Sequence, residues 1–292
     1  MSSIALLGAI EIGLLFGLVA LGVYLSFRVL QFPDLTVDGS FPLGAAVAAT
    51  LIVHHLNPWL ATSAAALAGA LAGLTTAWLN LHLRILNLLA SILTMIALYS
   101  INLRIMGRPN VALLGEETIL SGLQDRTIPA YVLTPFAFAV VTLAIKWLLD
   151  RFLTSELGLA LRATGANPRM ACAQGIHTKR AILLGMALSN ALVALAGALF
   201  AQSQGSADVT MGVGVIVVGL AAVIGGEALL NPRAVAQATA ACIVGSLLYR
   251  LIVALALNAD FLGLQAQDLN LITAVLVAAA LVLPRLRSGP SR

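Results

Sequence analysis

Charged side chains are scarce in this chain: 16 Lys and Arg and 12 Asp and Glu among 292 residues, or 10%, against roughly 25% in soluble domains. So few charges cannot cover the surface of a water-soluble fold of this length, which excludes a soluble enzyme. Basic runs interleaved with aromatics are missing, and a net charge of +4 offers a nucleic acid no binding stripe. Cysteine is reduced to Cys172 and Cys242, distant in sequence and without metal-ligand spacing, so both read as small packing residues and no metal site is assigned. The four histidines, His54, His55, His82 and His177, lack ligand spacing and acidic neighbours and read as interface residues. A G-x-x-x-x-G-K-[ST] phosphate loop, a G-x-S-x-G elbow and a carboxylate pair on one helix face are all absent, so no catalytic residue is assigned and ATP cannot be hydrolysed through such a loop.

What remains is apolar: 60% of residues, with a mean hydropathy of +1.01. The apolar runs predict an all-α polytopic transmembrane bundle, one permease-like unit over 1–292, with nine spans near 4–27, 39–56, 59–81, 85–105, 129–149, 181–201, 209–230, 234–257 and 269–283. The first run lacks a basic leader, carries Glu11 and exceeds a signal core, so it is expected to be retained.

Lys and Arg favour the cytoplasmic side of a membrane. Placing the 150–180 loop and the C-terminal tail inside puts Arg28, Arg84, Lys146, Arg151, Arg162, Arg169, Lys179, Arg180, Arg233, Arg285, Arg287 and Arg292 in the cytoplasm. Only Arg104, Arg108, Arg126 and Arg250 then lie toward the outside. Nine spans so arranged predict an external N-terminus and a cytoplasmic C-terminus. Ala61, Ala65, Gly69, Gly73 and Ala77 recur every four residues, as do Ala234, Ala238, Cys242 and Ser246; such stripes mark helix faces packed against other helices.

Three charges fall inside apolar runs: Glu11, Arg104 and Arg250. Each costs roughly 2.5 to 3.5 kcal/mol at a helix centre. The two arginines sit near helix ends, where they either snorkel to the surface or face a cavity. Glu11, about 10 Å into its run at 1.5 Å per residue, either meets an arginine or lines an aqueous path. Asp34 and Asp38, with Gly39 and Pro42, break the entry to the second span, and Asp208, Thr210 and Gly212 form a weaker echo after the sixth. Broken, polar backbone at membrane depth needs protein or water as a partner, so Glu11, Asp34, Asp38, Asp208, Arg104 and Arg250 are the candidate translocation path. Asp34 can equally cap its own helix. The topology puts the two broken segments on opposite sides, as an inverted repeat of about five helices requires.

The stretch 155–176, SELGLALRATGANPRMACAQGI, is the most informative polar segment. It reads as two short helices, the first stopped by Gly165 in a left-handed conformation, the second capped by Asn167, begun by Pro168 and stopped by Gly175. A rigid basic knuckle of this kind suits docking to another protein.

Arg162, Ala163, Gly165, Asn167, Ala171, Gly175 and Ile176 stand where permeases of ribose and branched-chain amino-acid importers, of the ATP-binding cassette class, carry an R-A-x-G-x-N-x-x-x-A pattern before G-I in their coupling loop. The segment DLTVDGSFPLGAAVAA at 34–49 resembles that family's D-L-S-V-G region, and AAVIGG at 221–226 its A-A-V-I-G-G signature. The first of these is most similar to a subgroup associated with aromatic amino acids or related solutes. The resemblance covers nearly the whole chain, although one N-terminal helix of ribose-type permeases is missing, and Asp38 and Pro42 depart from the ribose-type pattern. It implies a permease subunit in the bacterial inner membrane, passing a small solute, an amino acid or a related compound, from an external binding protein to the cytoplasm. The implied partners are a cytoplasmic ATPase that hydrolyses the ATP, a solute-binding protein and a second permease subunit forming a homodimer; the chain itself needs no cofactor. Arg162, Ala163, Gly165, Asn167, Arg169 and Gly175 then become the ATPase-coupling residues. The alternative is a secondary transporter driven by an ion gradient, which calls for a buried acidic cluster of which only Glu11 is a member.

Overall fold

The structure is a computed structural model and describes residues 3–121 and 130–257. These residues form ten α-helices and two short strands. In chain order they are α1 (Ser3–Val23), α2 (Val37–Val53), α3 (Pro58–Leu83), α4 (Asn87–Met106), β1 (Asn110–Ala112) and α5 (Ala130–Thr154). There follow α6 (Glu156–Ala166), α7 (Pro168–Ala173), α8 (Thr178–Gln204), β2 (Ser206–Asp208), α9 (Val215–Leu230) and α10 (Val235–Leu257).

Six helices are long and apolar enough to cross a membrane, Ile4–Val29, Pro58–Leu83, Asn87–Met106, Val132–Thr154, Thr178–Gln204 and Val235–Ala256, while α2 and α9 are apolar but shorter. At 1.5 Å per residue, these two reach about 25 Å, less than the roughly 30 Å of a hydrocarbon core. The reading as an all-α polytopic protein therefore holds. The run at 269–283 lies outside the described residues. Large apolar side chains such as Leu67, Leu71, Leu93, Phe136, Leu143 and Trp147 stand exposed on the outer faces, a surface that water does not tolerate over this extent and lipid does.

The centre of the bundle is α8, which packs against α2 and α3, while α1 packs against α5, α8, α9 and α10. The small-residue stripe on α3 is the reason α3 and α8 approach so closely: Ala61, Ala65, Gly69, Gly73 and Ala77 are all buried. On α10, Ala238, Cys242 and Ser246 are buried, and the Ser246 hydroxyl donates to the Gly13 carbonyl of α1 at 2.9 Å. Phe16, Phe41 and Phe200 join α1, α2 and α8 with ring centroids 5.6 to 6.0 Å apart.

The last part of the first span, Tyr24–Val29, winds as a π-helix; the Leu30 amide reaches back to the Leu25 carbonyl at 3.0 Å. At one end of the bundle, β1 and β2 pair antiparallel, Val111 opposite Ala207. The other end carries α6 and α7.

Candidate functional site

Between those ends the chain interrupts its helices twice. The segment entering α2 is held by Asp34, fully buried, whose carboxylate accepts the Thr36 amide at 2.9 Å and the Asn190 side-chain amide at 2.7 Å. Asn190, near the middle of α8, also accepts the Ser40 hydroxyl at 2.6 Å, and the Thr36 and Thr76 hydroxyls pair at 2.8 Å. Every member of this network is buried. Asp34 thus ties the start of α2 to the midpoint of α8, accepting the Thr36 amide and one N–H of Asn190, whose side-chain amide also donates to the Met186 carbonyl at 3.1 Å.

The second interruption precedes α9. Gly214, the residue before its first turn, has φ +82° and no side chain to cap with. The cap comes from α2 instead: the Asp38 carboxylate accepts the Ile216 amide at 2.8 Å and the Gly214 amide at 3.3 Å. A carboxylate satisfies the orphan amides of a helix start and matches the positive end of its dipole. Gly212 presses on this junction so closely that a Cβ there would lie 2.0 Å from the Asp38 carbonyl oxygen. The segments 34–40 and 208–212 enter from opposite ends of the bundle, the first from Val29 beside the knuckle and the second from β2, and meet at this junction, where a carboxylate in the first turn of α2 caps the start of α9. Asp208 lies away from the junction, in β2, where its carboxylate accepts the Thr210 amide at 2.8 Å and the Thr210 hydroxyl at 2.5 Å. Those bonds hold its carboxyl below the usual carboxylate range.

The remaining intramembrane charges do not converge. Glu11 is half-buried and accepts the Ser203 hydroxyl of α8. Arg250 lies over the Phe16 ring, 5.9 Å from its centroid, a cation–π contact that offsets part of its desolvation. Arg104 is exposed on α4. No ion pair joins the three among the described residues.

The knuckle forms as expected, with one correction. Ser155 caps α6 by accepting the Gly158 amide at 3.4 Å. Asn167 caps α7 by accepting the Met170 amide at 3.1 Å, with Pro168 as first helical residue. Gly175 takes the left-handed stop at φ +84°. Gly165 does not: it lies inside α6 with ordinary helical backbone. Its role is contact, since a Cβ there would fall 1.8 Å from the Val29 carbonyl oxygen. Arg162 and Arg169 are exposed with Met170, Leu157 and Leu159, Ala163 is half-buried, and Leu161 and Ala171 anchor the knuckle inward.

Beside this contact, Arg28 of the π-helical turn pairs with Glu227 near the end of α9. The sequence reading passed over this pair, as it did Asn190, Thr76 and Asn102. Uncharged polar residues inside apolar runs were the available signal for the last three, since each needs an interhelical partner in lipid.

Comparison with known proteins agrees with this architecture. Residues 5–283 match the family described as branched-chain amino acid transport system / permease component. The chain is 39% identical over 269 residues to a tyrosine transport system permease protein of Clostridioides difficile, covering 92% of this chain and 87% of that one. It is 27% identical to the ribose import permease protein RbsC of Escherichia coli, over 85% and 76% of the two chains. Among solved structures, a chain of PsaBC from Streptococcus pneumoniae in complex with Fab superposes with a TM-score of 0.54 at 15% identity, covering 94% of this chain and 89% of that chain, which supports the fold. The chain belongs to the permease components of branched-chain amino acid transport systems, multi-pass inner-membrane subunits of ATP-binding cassette importers.

Proposed function

We propose that this permease imports an amino acid, aromatic or of similar size, working as a homodimer over two cytoplasmic ATPases and beneath an external solute-binding protein. The observation that carries the proposal is the continuous linkage from the knuckle to the broken helices. Gly165 seats α6 on Val29, Arg28 one residue earlier grips Glu227 on α9, and the far end of α9 is held by Asp38 of α2. Movement of α6 and α7 by a partner therefore reaches the middle of the bundle through rigid helix rather than through loops. Arg162, Asn167, Arg169 and Gly175 stand on the docking element, with Arg162 and Arg169 offering charge to the ATPase surface. The amino-acid assignment takes its support from the tyrosine transport relative; Asp38 and Pro42 set the α2 entry apart from ribose-type permeases.

In this reading the end with α6 and α7 faces the cytoplasm and the β1–β2 end faces outward, the orientation that the Lys and Arg distribution favours. An inverted repeat is supported by two equal local turns: Thr36 donates its amide to Asp34 at 2.9 Å and Thr210 to Asp208 at 2.8 Å, each between a long helix and a short one. Of the six candidate path residues, Asp38 alone stands at the helix junction; Asp34 and Asp208 brace turns, and Glu11, Arg104 and Arg250 lie apart.

Reconstitution tests the proposal. With its ATPase and binding protein in proteoliposomes, the permease should accumulate labelled L-tyrosine or another amino acid only when ATP is hydrolysed. Uptake driven by an ion gradient without nucleotide would establish the secondary-transporter alternative instead.

A further inference from the structure

A groove of about 550 Å³ runs along α8 between α3 and α5, lined, among the described residues, only by Ala, Leu, Ile and Phe. Leu184, Leu188 and Ala191 form its floor, Leu148 and Phe152 of α5 one wall and Ala70 of α3 the other. The floor residues recur at helical spacing and so share one face of α8. The neighbouring faces of that helix are taken: Gly185 lies against Leu30 and Leu161, and Asn190 and Ala194 lie against Gly69 of α3. Leu148 and Leu184 stand exposed in the groove, which opens sideways, where the bilayer lies. A carbon lining of this kind rejects a polar solute, whose groups would be buried without partners.

The floor leads to charge. Arg180 lies four residues before Leu184, on the same face of α8, and is exposed at the end of the bundle that carries α6 and α7. Arg151, exposed next to Phe152, flanks the α5 wall and lies over the Trp147 ring, 5.3 Å from its centroid. None of the ion pairs among the described residues uses either arginine. From Arg180 to Leu192, α8 rises about 18 Å at 1.5 Å per residue, close to the roughly 15 Å of one leaflet of a 30 Å hydrocarbon core. The groove thus has the depth of a leaflet, an apolar shaft and a cationic mouth, the complement of an acyl chain beneath an anionic headgroup. Basic pockets between membrane helices retain such lipids.

Other occupants fit the shaft but not the mouth. The apolar run at 269–283 is followed by Arg285 and Arg287, like charges for Arg180. A second copy docked symmetrically would set two basic mouths together. We infer that the groove on α8 is a binding site for an anionic phospholipid, with one acyl chain between α3 and α5 and the headgroup phosphate paired with Arg180. Held there, the lipid fills the open flank of α8 and ties its first turns to the headgroup layer beside the knuckle.

The test counts lipids. The ATPase-bound permease is released from nanodiscs of phosphatidylcholine mixed with phosphatidylglycerol, and native mass spectrometry reads which lipids stay. The parent should retain phosphatidylglycerol in preference to phosphatidylcholine. Arg180→Gln should lower that preference about fivefold, the scale of one basic residue beside a charged bilayer surface. Arg233→Gln removes an equal charge at the same end of the bundle, before α10, and should leave the preference unchanged. Ala191→Phe fills the shaft and should release the lipid with the mouth intact. Should its melting temperature show poor folding, Leu184→Trp fills the shaft from a side chain that is 39% exposed and should do the same. Equal retention of both lipids by the parent, equal losses in Arg180→Gln and Arg233→Gln, or undiminished retention in the filled variant that folds overturns the inference. So does a filled variant that separates permease from permease while keeping its lipid, which gives the groove to a second copy. An Ala191→Cys variant, in a Cys172→Ser background, that stays closed to a membrane-soluble maleimide in every lipid and in detergent also overturns it, and gives the groove to the residues beyond 257.

Discussion

Gly165→Ala is the sharpest perturbation of the linkage between the knuckle and the bundle. An exposed helical glycine replaced by alanine gains about 1 kcal/mol of helix propensity. At Gly165 this gain is opposed by geometry: the added methyl would stand 1.8 Å from the Val29 oxygen and 2.8 Å from its carbonyl carbon, where ordinary contact begins near 3.4 Å. The atoms that must yield are backbone, and Leu161 and Gly158 hold α6 against its neighbours on either side. Overpacking of this kind costs about 1 to 3 kcal/mol. We therefore expect α6 to tilt away from the π-helical turn, with stability unchanged to lower by about 2 kcal/mol once propensity is subtracted. Displacement of the docking element should lower coupling well beyond that loss.

The assay compares melting temperature, ATPase stimulation by the binding protein and ATP-dependent uptake per folded complex. Gly115→Ala, beyond β1 at the other end of the bundle, is the control. It sits at φ +90° with nothing within 4 Å of a Cβ, so it meets about 1 kcal/mol of left-handed strain and no collision. Uptake should fall steeply in Gly165→Ala and little in Gly115→Ala. A Gly165→Ala protein that is more stable than its parent and fully coupled would refute the packing argument.

Asp34→Asn should lower stability by about 1 to 3 kcal/mol, because its new amide nitrogen must face either the Thr36 amide or the Asn190 side-chain amide, both of them donors; uptake per folded molecule, measured beside the melting curve, should persist. Arg28→Ala and Glu227→Ala should each change stability by no more than about 1 kcal/mol, Arg28 being 52% exposed, while reducing binding-protein-stimulated transport; a double-mutant cycle on uptake should return a non-additive coupling. For orientation, a membrane-impermeant maleimide should reach Cys172 only from the cytoplasmic side. Leu114→Cys, in a Cys172→Ser background, should be reached only from outside, as Leu114 stands 86% exposed at the β1 end.

Much of the architecture was legible because hydropathy in a bilayer is nearly a one-body property: a run of apolar residues long enough to span does so largely whatever surrounds it. Six of the nine expected spans coincide with helices long enough to cross a membrane and two more with the shorter α2 and α9, and the caps at Asn167 and Gly175 follow from chemistry local to the chain. Gly165 was misread for the complementary reason. A glycine near a helix end looks like a left-handed stop in sequence, and only the neighbouring helix reveals that the missing Cβ makes room for Val29. Asp38 presents the same difficulty. Its position in the first turn of α2 suggests a local role, whereas its bonds run to a helix 176 residues away. Asn102 and Asn190 were hidden by uncharged side chains, which a search for intramembrane charge passes over.

The junction explains why such broken backbone is kept inside an apolar bundle. Two helix starts expose amides that lipid cannot satisfy, and each is met by a carboxylate on the α2 side, Asp34 through Thr36 and Asn190, Asp38 through Gly214 and Ile216. The two carboxylates differ in one respect that matters for function. Asp34 is enclosed by a satisfied network and fixes α2 to α8, so it cannot change partners without unfolding the region. Asp38 lines a cavity beside Asn102 and holds α9, whose other end meets Arg28 near the knuckle. A rod capped at one end by Asp38 and paired at the other with Arg28 beside the ATPase-docking element links the junction to the knuckle. In the proposed cycle, therefore, α9 is the element whose displacement the nucleotide state can bias.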